Sequence, residues 1–299
     1  MRVLEESGIP WVRTVRNYRF SCIVGTHFRE GKPCFECRDS KTSIPAVINN
    51  CYRSSRISTA GALVSRWLTD VHSTKNPPKS LIFTTKHLRD NYLEFSTEPV
   101  ETAVVGNPIA RPPAESERKP HLRKWDCAFV GRLEPEKGMA LVLRLVEELP
   151  FARFVIAGAG SLRDSVVERA ARLPNLDYLG EVSKSDVYKI LSDSRIALVP
   201  SIWAEPFGRS ALEAAVCGVI PIVAKVGGLA EVMSELSFPQ LAVSGSDVLA
   251  WKEVVKGFLD SSAEELETMT SALTLSARTK FSPEQVSTEL WRVYSSSVQ

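Results

Sequence analysis

From residue 126 to residue 226 the chain alternates short apolar runs with longer amphipathic stretches. Cys127-Ala128-Phe129-Val130 precedes a stretch at 140–149, and Phe154-Val155-Ile156-Ala157 precedes one at 161–171. The run at 176–179 precedes a stretch at 184–193, and Ile196-Ala197-Leu198-Val199 precedes one that ends at Cys217, before a last run at 220–226. Runs that are apolar throughout suit strands covered on both faces, and the intervening period suits helices. Strand–helix alternation of this kind predicts right-handed crossovers and a doubly wound parallel sheet, with ligands beyond the strand carboxyl ends. A final segment opens at Phe281-Ser282-Pro283 and carries Val286, Leu290 and Val293 on one helical stripe over 284–294.

Residues 1–106 show fewer units. Strands are predicted at 11–15, 81–85 and 102–105 and helices near 54–73 and 86–95, short of a full Rossmann-like domain. Residues 107–125 mix Pro108, Pro112, Pro113 and Pro120 with charged residues and no apolar period, which is linker composition. The predicted organisation is a partial Rossmann-like domain at 1–108, a linker at 109–125, a complete Rossmann-like domain at 126–281 and a terminal helix at 282–299.

Length and charge sharpen this picture. At 299 residues the chain exceeds the usual single-core size, so two domains are expected. No apolar run approaches the roughly 20 residues of a membrane-spanning helix, and Arg2, Glu5 and Glu6 break any signal-peptide core, so the cytoplasm is the expected compartment. The net charge of +2 conceals an asymmetry. Residues 1–125 carry 20 Lys and Arg against 12 Asp and Glu, whereas residues 126–299 carry 17 against 23. A basic first domain fits peripheral contact with anionic lipid or a phosphate-bearing acceptor, and equally a solvated basic surface.

The stretch from Pro200 to Gly218 carries the chemistry. Pro200-Ser201 ends an apolar run, and a helical pattern from about Phe207 closes at Gly218, which suits a left-handed cap. A loop therefore leaves a strand and feeds a helix start, where unpaired amides near Phe207, Gly208 and Arg209 can hold a phosphate. Glu205 is predicted just before the helix and Glu213 roughly two turns inside it, spaced to reach opposite ends of one extended hydroxyl-bearing ligand.

At these residues the sequence resembles the retaining glycosyltransferases of family four, which have the α/β GT-B fold of two Rossmann-like domains. Glu205 and Glu213 form its E-x7-E pattern. Gly131-Arg132-Leu133 followed by Glu136-Lys137-Gly138 resembles the family's phosphate-contacting segment, and Phe154 to Gly160 its next strand and glycine turn. Leu179-Gly180-Glu181-Val182 and Gly227-Gly228-Leu229-Ala230-Glu231 follow at family-like spacing, so the resemblance spans about 126–235. Gly227-Gly228 either contacts the donor or makes the turn before the next helix.

The resemblance implies a nucleotide-diphosphate sugar as donor and a glycan or lipid-linked acceptor, with neither nucleic acid nor a catalytic metal. Arg132 offers a planar fork and Lys137 a mobile point charge to the departing phosphate, while Glu205 accepts hydrogen bonds from the donor sugar and Glu213 from the ribose. Gly131, Gly158, Val182, Phe207, Gly208, Arg209 and Glu213 are thereby expected to bind substrate. Arg16 stands where the family often has a histidine and is expected to face the acceptor, although an arginine is no base near neutral pH. Relative to family members the chain begins late, which implies a truncated first domain, a late start codon or half of a split enzyme. The alternative function is a nucleotide-sugar-binding subunit without turnover that needs a partner chain. A GT-B epimerase is disfavoured, because its own acid and base residues are not found.

Cys22, Cys34, Cys37 and Cys51 fall within one short region, and Cys34-Phe35-Glu36-Cys37 has the C-x2-C spacing that grips zinc. Four thiolates would complete a tetrahedral structural site. Outer spacings that match no common zinc module leave buried free thiols as the competing reading. The surrounding pattern resembles a subset of bacterial polysaccharide-type members of the family. Cys127 and Cys217 lie in apolar contexts and are expected in the core.

Overall fold

The structure, a computed structural model, describes residues 9–75, 77–96, 99–110, 112 and 123–298. The chain divides into two compact units, Met1–Asn107 with Glu284–Gln299, and Pro108–Pro283. Pro113 and Pro120 of the expected linker lie outside the described residues.

The second unit is built on a six-stranded sheet. Its strands are β6 (Trp125–Val130), β7 (Phe154–Ala157), β8 (Leu176–Tyr178), β9 (Ser194–Val199), β10 (Ile220–Ala224) and β11 (Ala242–Val243), in spatial order β11-β10-β9-β6-β7-β8. Every pairing is parallel. The chain enters at β6, winds outward through β7 and β8, then returns to the other flank of β6 with β9. This reversal creates a topological switch point between β6 and β9, where ligands of open α/β sheets bind.

The apolar runs become strands because helices cover both faces. Residues of β7 and β10 are buried throughout. The covering helices are α5 (Met139–Glu148), α6 (Arg163–Ala170), α7 (Lys184–Ser192), α8 (Arg209–Val216), α9 (Gly227–Glu235), α10 (Val248–Asp260) and α11 (Ala263–Lys280). Helices α10 and α11 and strand β11 lie beyond the apolar period, and α9 is the helix that one reading of Gly227-Gly228 expected after a turn. The Ser262–Glu265 capping box that opens α11 was nonetheless readable in the sequence.

Some predicted boundaries move for local reasons. Thr85, expected in a strand, instead caps a helix, with its hydroxyl accepting from the Leu88 amide at 3.1 Å. Helix α8 begins at Arg209 rather than Phe207, because Gly208 takes the left-handed region at φ 100°. Glu213 consequently lies about one turn inside the helix, not two. The expected linker is ordered at both described ends. Ile109 is 4% exposed and its amide donates to the Phe281 carbonyl, while the buried Arg123 guanidinium donates to the Ser194 and Gly218 carbonyls. Burial pushes Arg123 down to about 10.

The first unit has a three-stranded parallel sheet of β1 (Val12–Val15), β4 (Ser80–Phe83) and β5 (Glu101–Val104), ordered β1-β4-β5. Helices α3 (Arg56–Lys75) and α4 (Lys86–Phe95) flank these strands in sequence. Helix α12 (Pro283–Val298) belongs here: Val286 is buried with Ile82 and Val105, with Leu290 and Val293 packed alongside. The predicted stripe is therefore the packed face. Between β1 and α3 lie a two-residue-a-side hairpin, β2 (Phe28–Arg29) with β3 (Lys32–Pro33), and short helices α1 (Glu36–Asp39) and α2 (Ile44–Ile48).

One close approach fixes the second unit's architecture near the switch point. Gly138 has φ 75°, and a Cβ placed there would lie 1.9 Å from the Pro200 carbonyl oxygen. Gly138→Ala is expected to destabilise this unit by about 3 kcal/mol, from backbone strain plus overpacking. Calorimetry of the full chain checks this as a lowered transition for the larger unit.

Candidate functional site

The site is assembled from segments that leave the carboxyl ends of β6, β7 and β9. After β6 the chain passes Gly131 and Arg132 and makes a short 3-10 turn at Pro135–Lys137, which Gly138 ends. That turn docks onto the segment after β9 through the Ile202 amide, which donates to the Glu136 carbonyl at 2.9 Å. Docking delivers Lys137 to Glu205. Their side chains pair at 2.6 Å between Nζ and Oε1, with Lys137 21% and Glu205 8% exposed.

Glu205 has further anchors. The Ser201 hydroxyl donates to the same Oε1, and the Glu205 carbonyl accepts from the Gly228 amide at 2.7 Å. Gly228 stands at the start of α9, where a Cβ would lie 2.6 Å from the Phe207 nitrogen. Its close packing against the 205–207 segment is what the structure shows of the Gly227-Gly228 pair. Lys137 Nζ also lies 5.6 Å from the centroid of the Trp203 ring. Trp203 is buried, and its indole N–H has no acceptor among the described residues. A half-buried ammonium beside a carboxylate and an aromatic face is held by both, and its remaining exposure leaves its charge open to an anion.

The other predicted residues of the larger unit fall into three groups. Arg132 and Arg209 are more than half exposed and form ion pairs with Glu136 at 2.9 Å and Glu213 at 3.0 Å. Each arginine is thus tethered at the site's rim, one on the β6 segment and one at the first position of α8, whose N-terminal end carries partial positive charge. Gly131 and Gly158 meet at the ends of β6 and β7: a Cβ on Gly158, φ 143°, would lie 1.8 Å from the Gly131 carbonyl oxygen. The Gly158 amide donates to the Gly180 carbonyl at 2.7 Å, and the Tyr178 hydroxyl donates to the Gly158 carbonyl at 2.9 Å. Glycine is the residue that permits this backbone crowding.

Two side chains are committed elsewhere. Phe207 is 5% exposed and packs edge-on against Phe281, with ring centroids 5.7 Å apart, because a large apolar ring gains more from the core than from the loop. Val182 packs partly buried against the small cluster of Trp125, Ala128, Val155, Ala157 and Ile190. The Phe207 backbone borders Gly228 at the start of α9. Arg16 belongs to the first unit, exposed just beyond β1 on the wall of a cavity of about 1340 Å³. Ser201 and Trp203 were not among the expected site residues, and Glu136 and Gly138 entered only as parts of the Glu136-Lys137-Gly138 segment. Ser201 and Trp203 lie within the 200–218 stretch, so their neighbourhood to Glu205 was visible although their contacts were not.

Cys22, Cys34, Cys37 and Cys51 are all free and half-buried, and all line one cavity of about 110 Å³ in the first unit. Among the described residues no three acidic, histidine or cysteine side chains stand as a ready-made metal set. Cys127 and Cys217 are buried, as their apolar contexts implied.

Comparison with known proteins adds three findings. Residues 113–272 match the family Glycosyl transferases group 1. The chain is 33% identical over 144 residues to a D-inositol 3-phosphate glycosyltransferase of Mycobacterium ulcerans, covering 46% of this chain and 31% of that protein. It is 32% identical over 196 residues to a glycogen synthase of Mycobacterium tuberculosis, covering 62% and 46%. The matches thus span less than half the length of these curated relatives. Among solved structures, HepE of Anabaena in complex with UDP superposes with a TM-score of 0.65 at 16% identity, over 78% of this chain and 68% of that one. Sucrose-phosphate synthase from Thermosynechococcus elongatus superposes with a TM-score of 0.62 at 16% identity, over 76% and 61%. The fold is the GT-B class of α/β structure shared with these glycosyltransferases. Among the described residues no helix is long and apolar enough to cross a membrane.

The Lys137–Glu205 contact has a direct stability test. Glu205→Gln keeps the shape but leaves the ammonium without its counter-charge, and is expected to cost about 2 kcal/mol. Adding Lys137→Met to Glu205→Gln is expected to recover part of that loss, which a double-mutant cycle in urea denaturation measures as coupling.

Proposed function

The chain belongs to the Glycosyl transferases group 1 family, and from that premise we propose that it is a retaining sugar transferase of family four. Its donor is a nucleotide-diphosphate sugar held by the larger unit, and its acceptor is a glycan or lipid-linked glycan. The observation that carries this reading is the Lys137–Glu205 pair, poised at the β6/β9 switch point beside the amino end of α8.

The chemistry follows from charge. As the bond between the anomeric carbon and the departing phosphate lengthens, negative charge grows on the phosphate oxygens. Lys137, Arg132 and the α8 amides supply preorganised positive potential there. Entry of the donor pyrophosphate exchanges internal pairs for ligand contacts: Lys137 turns from Glu205 to phosphate, and the freed Glu205 carboxylate accepts from sugar hydroxyls. Glu213, turned likewise from Arg209, accepts from the ribose. The acceptor oxygen attacks the anomeric carbon on the face the phosphate leaves, and its proton passes to a departing phosphate oxygen, so configuration is kept. The protein's own cations supply the charge, and no metal takes part in this path.

The basic side of the first unit supports the acceptor assignment. Arg13, Arg16, Arg19, Arg66 and Lys79 line its large cavity and suit a phosphate-bearing glycan carrier, presented free or at an anionic membrane face. A second reading, donor binding without turnover until a partner chain adds further strands, is favoured by the three-stranded sheet, in which, among the described residues, β1 pairs only with β4 and Arg13 and Thr14 are exposed.

Incubation of the full chain with uridine, guanosine and adenosine diphosphate sugars and an acceptor extract tests the proposal. Nucleoside diphosphate release, with product of unchanged anomeric configuration by NMR, is the expected outcome. Binding without release, restored by a strand-supplying partner, selects the second reading. Lys137→Ala is expected to weaken nucleoside diphosphate binding by about 1.5–3 kcal/mol in calorimetry, the scale of a hydrogen bond to a charged group. Glu205→Gln is expected to impair transfer far more than binding of the bare nucleotide.

A further inference from the structure

The segment from Tyr18 to Ser55 has little regular structure and a small apolar core. Its regular structure amounts to the two-residue strands β2 and β3 and the short helices α1 and α2. Its buried apolar side chains are Tyr18, Ile23 and Ala46. Six non-glycine residues, His27, Glu30, Lys41, Asn50, Arg53 and Ser54, take positive φ within it. Left-handed conformations of this kind persist only where surroundings over-determine them. A segment with so small an apolar core needs a cross-link of another kind.

The four cysteines stand where such a cross-link would act. Each enters from a different turn whose backbone is hydrogen-bonded: the Cys22 amide donates to the Tyr18 carbonyl, Cys34 to His27 and Cys51 to Ala46, while Cys37 sits in α1. All four line the same small cavity. His27 also lines it, but its Nε2 is engaged by the Ser21 hydroxyl at 2.8 Å and its ring packs 4.6 Å from that of Tyr18. We propose that Cys22, Cys34, Cys37 and Cys51 bind a structural divalent ion of the zinc class, which ties these turns together. Each thiol releases its proton to solvent as its sulfur–metal bond forms, and four bonds of about 2.3 Å in a tetrahedral set would draw the cavity shut. The site is independent of the sugar-transfer reading, since it lies wholly in the first unit.

Metal analysis of the full chain, purified without chelator, is expected to show about one zinc per chain that survives dialysis and is released when the thiols are blocked. Cobalt exchanged into the same protein is expected to give sulfur-to-cobalt charge-transfer and tetrahedral d–d bands. Cys37→Ser is expected to lose the ion, whereas Cys217→Ala keeps it. The assignment is overturned by unaltered protein with no stoichiometric metal and promptly titrating thiols, by a disulfide among the four, by iron in place of zinc, or by a Cys37→Ser protein that retains the full complement. The cobalt spectrum of unaltered protein decides the matter even where Cys37→Ser fails to fold.

Discussion

A single buried carboxylate organises the larger unit's ligand-facing edge. Glu205 receives Lys137 from the segment after β6 and Ser201 from its own loop, and its carbonyl receives the Gly228 amide at the start of α9. Three stretches distant in sequence thus meet on one residue. A carboxylate held at 8% exposure is costly without partners, so its presence commits the surrounding loops to supply them. The close contact of Gly138 with the Pro200 carbonyl is part of the same arrangement, since any side chain there would lift the turn that delivers Lys137.

Much of this was legible before any coordinates. The apolar runs at 127–130, 154–157, 176–179, 196–199 and 220–226 correspond to β6, β7, β8, β9 and β10, because strands buried on both faces, as β7 and β10 are, leave a plain mark, and the part-buried edge strand β8 a shorter one. Helices α9 to α11 left a weaker one: they follow the last run, and their period merges with polar stretches. In the site, charged residues at family-like spacing were readable, but their internal partners were not. That Arg209 pairs with Glu213, or that Phe207 turns into the core against Phe281, depends on where α8 begins, and Gly208's left-handed backbone decides that by two residues.

The two units rest on different physics. The larger one hides a continuous apolar core between sheet and helices, with Trp251, Phe154 and Leu145 fully buried. The smaller one has a compact patch around Ile82, Val105 and Val286, and an irregular segment whose turns carry polar and sulfur-bearing side chains instead. Charge separates them as well: the smaller unit carries 16 Lys and Arg against 12 Asp and Glu, and the larger 21 against 23.

The strand order has a consequence for biosynthesis. Lys137 and Glu205 are 68 residues apart, and the sheet visits β7 and β8 before returning to β9 beside β6. A nascent chain on the ribosome therefore carries the ammonium long before its counter-charge exists. The Lys137–Glu205 contact forms only once the return strand is seated, so any molecule that bound across that seam would favour the finished sheet over every shorter folding intermediate.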